Sequence, residues 1–341
     1  MCTFFTFMQI ALDAGGLCAN QGYGNYIFSI NILRALAKLD QTNTYTAYTF
    51  CNQAPFQNKT LTYKKFFLKF GFMKLRVSFE ELFHRKDILL ALNQAIPLIS
   101  KSKIIAFSHG VSFIHYPDLY KSDCTRLKNQ LDDYLKKSHI IVTSSTKVKD
   151  DLYQYYPTLK NRVFTLLPGI PYDFESHQAR KRKRYLLFVG MNHQIKNVDS
   201  IVKLFFEIKK QARFKDYLLY LVGEFEEFSS KDVRIFPKIS RLKLKRLYQE
   251  TSVYISMSHY ESFNFPVLEA LSQNCPVVAR DTAVIPEMKP YVNDCKSEKD
   301  CFKVLYNVCS KNYKNQNIHE LKSLFSWEKY VSRLRTLYNE L

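Results

Sequence analysis

Two glutamates, Glu261 and Glu269, bracket the stretch YESFNFPVLEAL at residues 260–271. Ionised carboxylates only accept hydrogen bonds, so a pair of them addresses a ligand rich in hydroxyl donors. On one continuous helix their faces would stand about 80° apart, so the spacing by itself does not make them cooperate. The residues between them say more. Pro266 suits the first helical position, where a missing N–H costs nothing, and Val267, Leu268, Ala270 and Leu271 form an apolar helix start. Asn264 tolerates positive φ, which allows a sharp bend just before that helix. Such a helix mouth offers unpaired N–H donors and roughly half a positive charge, a seat for phosphate. Phosphate beside hydroxyls describes a nucleotide sugar. An ordinary capped helix with exposed acids would account for the same residues without any ligand.

The elements that must position this stretch read as two parallel α/β series. Residues 4–12 look like a buried strand, followed by the glycine loop GGLCANQGYG and the periodic helix YIFSINILRALAKL. TYTAYTF, DILLAL, KIIAFSH, HIIVTSS and VFTLLPG continue the first series, with TRLKNQLDDYLKK as an intervening helix. After a polar, basic stretch ending in RKRKR at 180–184, a second series runs through YLLFVG, DYLLYLVG, VRIF, VYISMS and CPVVAR. The expected fold class is α/β, two Rossmann-like doubly wound domains. The expected boundaries are 1–170, a basic linker 171–184, a second domain 185–322 and a closing helix 323–341. Ligands of such sheets bind beyond the carboxyl ends of the strands.

Composition narrows the function classes. The 341 residues exceed one ordinary core, and 46% hydrophobic content supports globular folding. There is no apolar run long enough to span a bilayer. The N-terminus carries neither a basic leader nor a small-residue cleavage pattern. No GxxxxGK[ST] loop is present, and the glycines at 15, 16, 22 and 24 do not form GxGxxG, which disfavours P-loop and dinucleotide chemistry. The eight cysteines show no CxxC pair or zinc spacing, and are read as reduced thiols of a cytosolic protein. A net charge of +19 attracts nucleic acid, anionic lipid or phosphorylated substrates. Lys59, Lys64, Lys65, Lys69, Lys74 and Arg76 interleave with Phe66, Phe67, Phe70 and Phe72. Read as a helix, Phe66, Phe70, Met73 and Val77 would make an apolar stripe beside lysines, suited to an interfacial membrane contact; read as a strand, the phenylalanines are core or edge. Nucleic acid is disfavoured as a partner, since no RNP-like or zinc-knuckle signature accompanies the charge.

The ordered motifs resemble the retaining GT-B glycosyltransferases, specifically the family 4-like group 1 enzymes with two glutamates separated by seven residues. IALDAGGL with GYGNYIFSINILRAL, FSHGVSFIHYPDLY, IIVTSSTKVKDDL and LLPGI are similar to that family's first domain. LLFVGMNHQIKNVDSIVKLF, LYLVG and SHYESFNFPVLEALSQNCPVVARDTAVIPEM are similar to its second, and FSWEKY to its closing helix, which crosses back to the first domain. The resemblance implies a nucleotide sugar, UDP- or GDP-linked, as donor, a glycan or lipid-linked acceptor, no cofactor and no metal. It also implies that Glu269 holds the ribose, that Glu261 contacts the transferred sugar, and that Lys196 grips the diphosphate. Gly15, Gly16 and Gly190 would allow close approach, with Asn264, Phe265, Val267 and Leu268 facing the phosphates and His109 facing the sugar. Asp13 and His193 stand nearby in the same comparison. Met191 and Ile195 occupy places where the family often has another basic residue, so a GT-B protein that binds without turnover is the alternative. The implied location is the cytoplasm, at the inner face of a membrane when the acceptor is lipid-linked.

Overall fold

The structure, a computed structural model, describes residues 7–19, 24–52, 54–67, 69–121, 123–226, 230–310 and 317–341. The chain divides into two compact units, one running to Gly169 and including Ser326–Leu341, the other Ile170–Phe325.

The first unit is built on a seven-stranded sheet ordered β3-β2-β1-β4-β5-β6-β7. Its strands are β1 (Gln9–Asp13), β2 (Thr44–Thr49), β3 (Leu61–Lys65), β4 (Ile88–Ala91), β5 (Lys103–Ser108), β6 (Ile140–Thr143) and β7 (Val163–Thr165). All neighbours are parallel, and Ile10 pairs with Tyr45 on one side and Ile88 on the other. The sheet is covered by helices, so central strands such as Ile10-Ala11-Leu12 are buried on both faces and read as continuous apolar runs. The helices are α1 (Gly24–Leu39), α2 (Ser78–Phe83), α3 (Ser112–His115), α4 (Asp123–Lys137) and α5 (Thr146–Tyr155). The C-terminal helix α11 (Trp327–Tyr338) also belongs to this unit: the Phe28 ring of α1 lies 6.4 Å from Trp327 and 6.3 Å from Tyr330. Gly169 makes room for it, since a Cβ there would stand 2.5 Å from Trp327 Cδ1.

The second unit carries a six-stranded sheet ordered β10-β9-β8-β11-β12-β13. The strands are β8 (Lys183–Val189), β9 (Leu218–Val222), β10 (Val233–Phe236), β11 (Thr251–Ser256), β12 (Val277–Arg280) and β13 (Asn293–Cys295), again all parallel. Its helices are α6 (Val198–Lys209), α7 (Arg241–Glu250), α8 (Phe265–Ser272), α9 (Glu298–Ser310) and α10 (Ile318–Leu324).

Four expectations change. The strand anticipated at 4–12 is described only from Gln9, residues 4–6 lying outside the described residues. The basic aromatic stretch is neither one helix nor one strand. β3 ends at Lys65, Gly71 turns the chain with φ 66°, and a π-helical turn, Phe72–Val77, leads into α2. Met73 and Val77 are buried while Phe70 is exposed, because the glycine breaks the helical stripe between them. The stretch 171–184 is held inside the second unit: Phe174 is buried, and Arg182 donates to the carbonyls of Tyr248, Gln249, Thr251 and Asn274. The cysteines are not all thiols. Cys18 is bonded to Cys51, Cα atoms 5.6 Å apart, and Cys295 to Cys301, 5.0 Å apart; Cys124, Cys275 and Cys309 are free, and Cys2 lies outside the described residues. β1 and β2 are neighbours, with Ala14 N–H donating to Tyr48 O, so the chain segments following both strands meet although 33 positions separate the two sulfurs. Cysteine usage therefore no longer points to a reducing compartment.

Candidate functional site

The two glutamates do not share a helix. Glu269 sits within α8, whereas Glu261 lies in the loop joining β11 to α8. The bend between them is at Asn264, in the left-handed region with φ 71° and ψ 69°. Its side-chain amide is fully engaged, donating to Ser256 Oγ at 3.2 Å and to Ala283 O at 2.9 Å, and this locks the turn to the end of β11. The turn directs Asn264 O at the first helical turn, where it accepts from Val267 N at 3.1 Å and Leu268 N at 3.3 Å. Those two amides, expected to face an anion, are spent. The amides of Phe263, Asn264 and Phe265 have no acceptor among the described residues. Pro266 occupies the first turn of α8, where it has no N–H to satisfy.

Lys196 reaches this mouth from the loop after β8. It closes a 3₁₀ turn, Gln194–Lys196, and its Nζ stands 2.7 Å from Glu261 Oε1, which also accepts from Ser258 Oγ at 2.7 Å. The two loops are joined through the backbone, His259 N donating to Ile195 O at 2.8 Å. His193 caps the turn, its Nδ1 accepting from Ile195 N at 3.1 Å. Burial first, and the neighbouring Lys196 charge second, hold the His193 imidazole below its ordinary pKa. Ile195 is buried and Met191 exposed. Gly190 ends β8 against Gly223, whose φ is 145°; a Cβ on Gly223 would stand 2.0 Å from Gly190 O, so this crossing of backbones requires glycine there.

Glu269 is 2% exposed and already partnered. Arg241 Nη2 lies 2.7 Å from its Oε1, and Tyr248 OH donates to Oε2 at 3.2 Å. Arg241 opens α7, pairs with Asp173 at 2.7 Å, and lies over the Phe174 ring at 4.5 Å. Burial raises the Glu269 pKa and the Arg241 guanidinium opposes that shift. Both Glu261 and Glu269 act electrostatically on the buried Tyr254 phenol, which places the two carboxylates around one ring. Arg241, Asp173, Tyr248 and Ser258 escape sequence reasoning, because nothing in a helix reading RLKLKRLY distinguishes the one arginine that turns inward.

The first unit holds the remaining expected residues. Gly15 and Gly16 lie in a 3₁₀ turn after β1. A Cβ on Gly16 would meet Ser29 Oγ at 2.2 Å, so packing against α1 is enough to require glycine. Asp13 Oδ1 accepts from Gly15 N at 2.9 Å and Oδ2 from Asn93 Nδ2 at 3.1 Å. His109 follows β5, and its Nε2 donates to Leu92 O at 2.5 Å while Phe28 packs edge-on at 5.4 Å. Burial lowers the His109 pKa, partly offset by that hydrogen bond, leaving a neutral ring whose Nδ1 has no partner among the described residues.

Burial pushes the Asp13 carboxyl up to about 6, with the bonds from Gly15 and Asn93 opposing it. A carboxyl raised on folding contributes stability fully present below its unfolded pKa and lost as pH rises through its folded pKa. Between pH ~4 and ~6, wild type should therefore lose roughly 3 kcal/mol relative to Asp13→Asn. Denaturation midpoints of both proteins across that window check this; parallel curves would show that Asp13 ionises normally.

Residues 170–290 match the profile of the family described as glycosyl transferases group 1. The chain is 24% identical over 214 residues to the O-antigen chain mannosyltransferase RfbU of Salmonella typhimurium, an alignment covering 60% of this chain and 59% of that protein. The chain thus spans well under two thirds of that relative. Among solved structures it is similar to the sucrose-phosphate synthase of Thermosynechococcus elongatus, with TM-score 0.74, 13% identity and coverage of 97% and 98% of the two chains. It is also similar to the lipopolysaccharide outer core galactosyltransferase WaaB, with TM-score 0.63, 13% identity and coverage of 98% and 100%. At such identities the likeness concerns the fold, which is GT-B: two parallel-sheet α/β domains.

Proposed function

We propose that this chain, a GT-B fold whose residues 170–290 match the group 1 glycosyl transferases, is a retaining hexosyltransferase. It takes a UDP- or GDP-hexose as donor and a hydroxyl of a glycan or lipid-linked glycan as acceptor, in surface polysaccharide or glycoconjugate synthesis. The observation that carries this reading is the mouth of α8, where three unspent amides, of Phe263, Asn264 and Phe265, lie beside the Lys196–Glu261 pair. Amide dipoles and an ammonium suit a diphosphate whose charge grows as the glycosyl bond breaks, stabilising the transition state more than the ground state. Glu261 keeps its Oε2 for hydroxyls of the transferred sugar, and Glu269, within α8, serves the ribose. In this reading the acceptor oxygen bonds to the anomeric carbon on the face the phosphate leaves, and the acceptor proton passes to a departing phosphate oxygen. No metal takes part. A membrane-held acceptor would bring the enzyme to the inner face of an anionic bilayer, on the cytoplasmic side.

Thermal shift with UDP-, GDP- and ADP-sugars, followed by transfer assays in chelator and anomeric NMR of the product, tests the proposal. Stabilisation by one donor class and an unchanged anomeric configuration are expected; an inverted product, or turnover abolished by chelator, would overturn the mechanism. The second reading, a GT-B module that binds nucleotide sugar or glycan as a scaffold, draws on Met191 and Ile195, which leave Lys196 as the one lysine or arginine between Gly190 and Asn197. Donor binding with no hydrolysis or transfer, unchanged in Glu261→Ala, would favour it.

A further inference from the structure

The first unit exposes several large apolar side chains along one segment, the kind of cluster that marks an interaction surface. Phe67 is 78% exposed, Phe70 85%, Leu75 55%, Phe79 67% and Phe83 67%. Phe70, Leu75, Phe79 and Phe83 form one patch. Phe70, Leu75 and Phe79 line a single concavity of about 360 Å³ with Phe66, and the Phe79 and Phe83 rings are 4.8 Å apart. Ile99, 54% exposed, is brought alongside by Ser78 Oγ, which accepts from Ile99 N at 3.3 Å and from Leu98 N at 2.8 Å.

Cations predominate around the patch, although Glu80 lines the concavity together with Arg76. Lys69, Lys74, Arg85 and Lys101 are exposed at its rim. The carboxylates of α2 are buried and engaged: Glu80, at the wall of the concavity, pairs with Lys64 at 2.5 Å, and Glu81 accepts from Ser100 and Ser102. Outward cations around outward aromatics fit a surface that is anionic outside and apolar just beneath. No helix among the described residues is long and apolar enough to cross a membrane, so the contact would be interfacial.

We propose that this face, from Phe70 through α2 with the Leu98–Ile99 turn, docks on an anionic lipid bilayer with its phenylalanines in the headgroup–acyl boundary. The left-handed Gly71 and the π-helical turn shape the face: they bury Phe72 and Met73 in the core while turning Phe70 and Leu75 outward. Lipid docking is independent of the transferase reading, since it is measured without donor or turnover, so either can fail alone.

Flotation of the full chain with phosphatidylcholine vesicles, with and without phosphatidylglycerol, tests it. Binding is expected only with the anionic lipid. Lys69→Gln, Lys74→Gln and Lys101→Gln together should weaken it on the order of 100-fold, about fivefold per cation. Phe70→Ser with Phe79→Ser, both at exposed positions, should remove the binding that survives high salt. Absence of flotation, or flotation indifferent to both sets of substitutions, would overturn the proposal. So would concentration-dependent self-association of wild type that the phenylalanine variant abolishes, which would make this face a contact between copies of the chain.

Discussion

Replacing Lys196 by alanine is expected to lower kcat about 10²–10³-fold, the loss typical of removing one group aimed at developing charge. In the proposed reaction the leaving nucleotide gains negative charge at the mouth of α8, beside Lys196 and the amides of Phe263, Asn264 and Phe265, and no other lysine or arginine lies between Gly190 and Asn197. The substitution also strips Glu261 of its partner at 2.7 Å, leaving only the Ser258 hydroxyl on Oε1. A partly buried pair lies between the near-neutral surface case and the costly buried one, so a stability loss of about 2 kcal/mol should accompany the catalytic one. Glu261→Gln in the same chain removes the orphaned charge. It should restore the melting temperature without restoring turnover. Single-turnover rates and melting curves of wild type, Lys196→Ala and the double variant separate the two effects. A kcat within threefold of wild type for Lys196→Ala would make the lysine a structural partner of Glu261 and nothing more.

Arg241→Ala should be the most destabilising single change in the second unit, because it leaves the carboxylate of Glu269 buried with only the Tyr248 hydroxyl beside it. Breaking one side of a buried ion pair costs about 3–5 kcal/mol, roughly 10 °C in melting temperature for a unit of this size. The sign with pH follows from Glu269, whose pKa burial already raises and Arg241 restrains. Without the guanidinium the folded-state pKa climbs further. The stability that protonated Glu269 allows is then present at low pH and lost as pH rises through that value. The gap between wild type and Arg241→Ala should therefore be small near pH 5 and full at pH 8. Glu269→Gln on the Arg241→Ala background should recover most of the loss at pH 8. A pH-independent gap would assign the damage instead to the lost packing on Phe174. Nucleotide affinity should also fall with Arg241→Ala, since the Glu269 carboxylate loses the guanidinium that holds its Oε1 at 2.7 Å.

Local chemistry was legible in the chain wherever one residue type answers one conformational demand. Asn264 is in the left-handed region, Pro266 is in the first turn of α8, and the apolar runs beginning DILLAL, KIIAFSH and HIIVTSS became buried parallel strands. Short or mixed elements were not legible: β3 carries Thr62, Lys64 and Lys65, and β13 is Asn293-Asp294-Cys295, neither with an apolar run to announce it. The same limit applies to the site. Asn264, Phe265, Val267 and Leu268 all read as facing the phosphates, but the carbonyl of the asparagine that makes the bend consumes the amides of Val267 and Leu268 and leaves those of Asn264 and Phe265, with that of Phe263, without an acceptor among the described residues.

By itself the sequence determined two doubly wound parallel sheets and a bent loop running into a proline-started helix with an acid on each side. Both follow from interactions among near neighbours: continuous burial writes apolar runs, and backbone geometry selects asparagine and proline. Tertiary structure alone decided that Arg241 would turn from a solvent-looking basic helix onto Glu269 and that Cys18 would meet Cys51. Each of these depends on which strand ends become neighbours and which side of an element faces the core. Such juxtapositions join residues tens of positions apart, where local propensity carries no information.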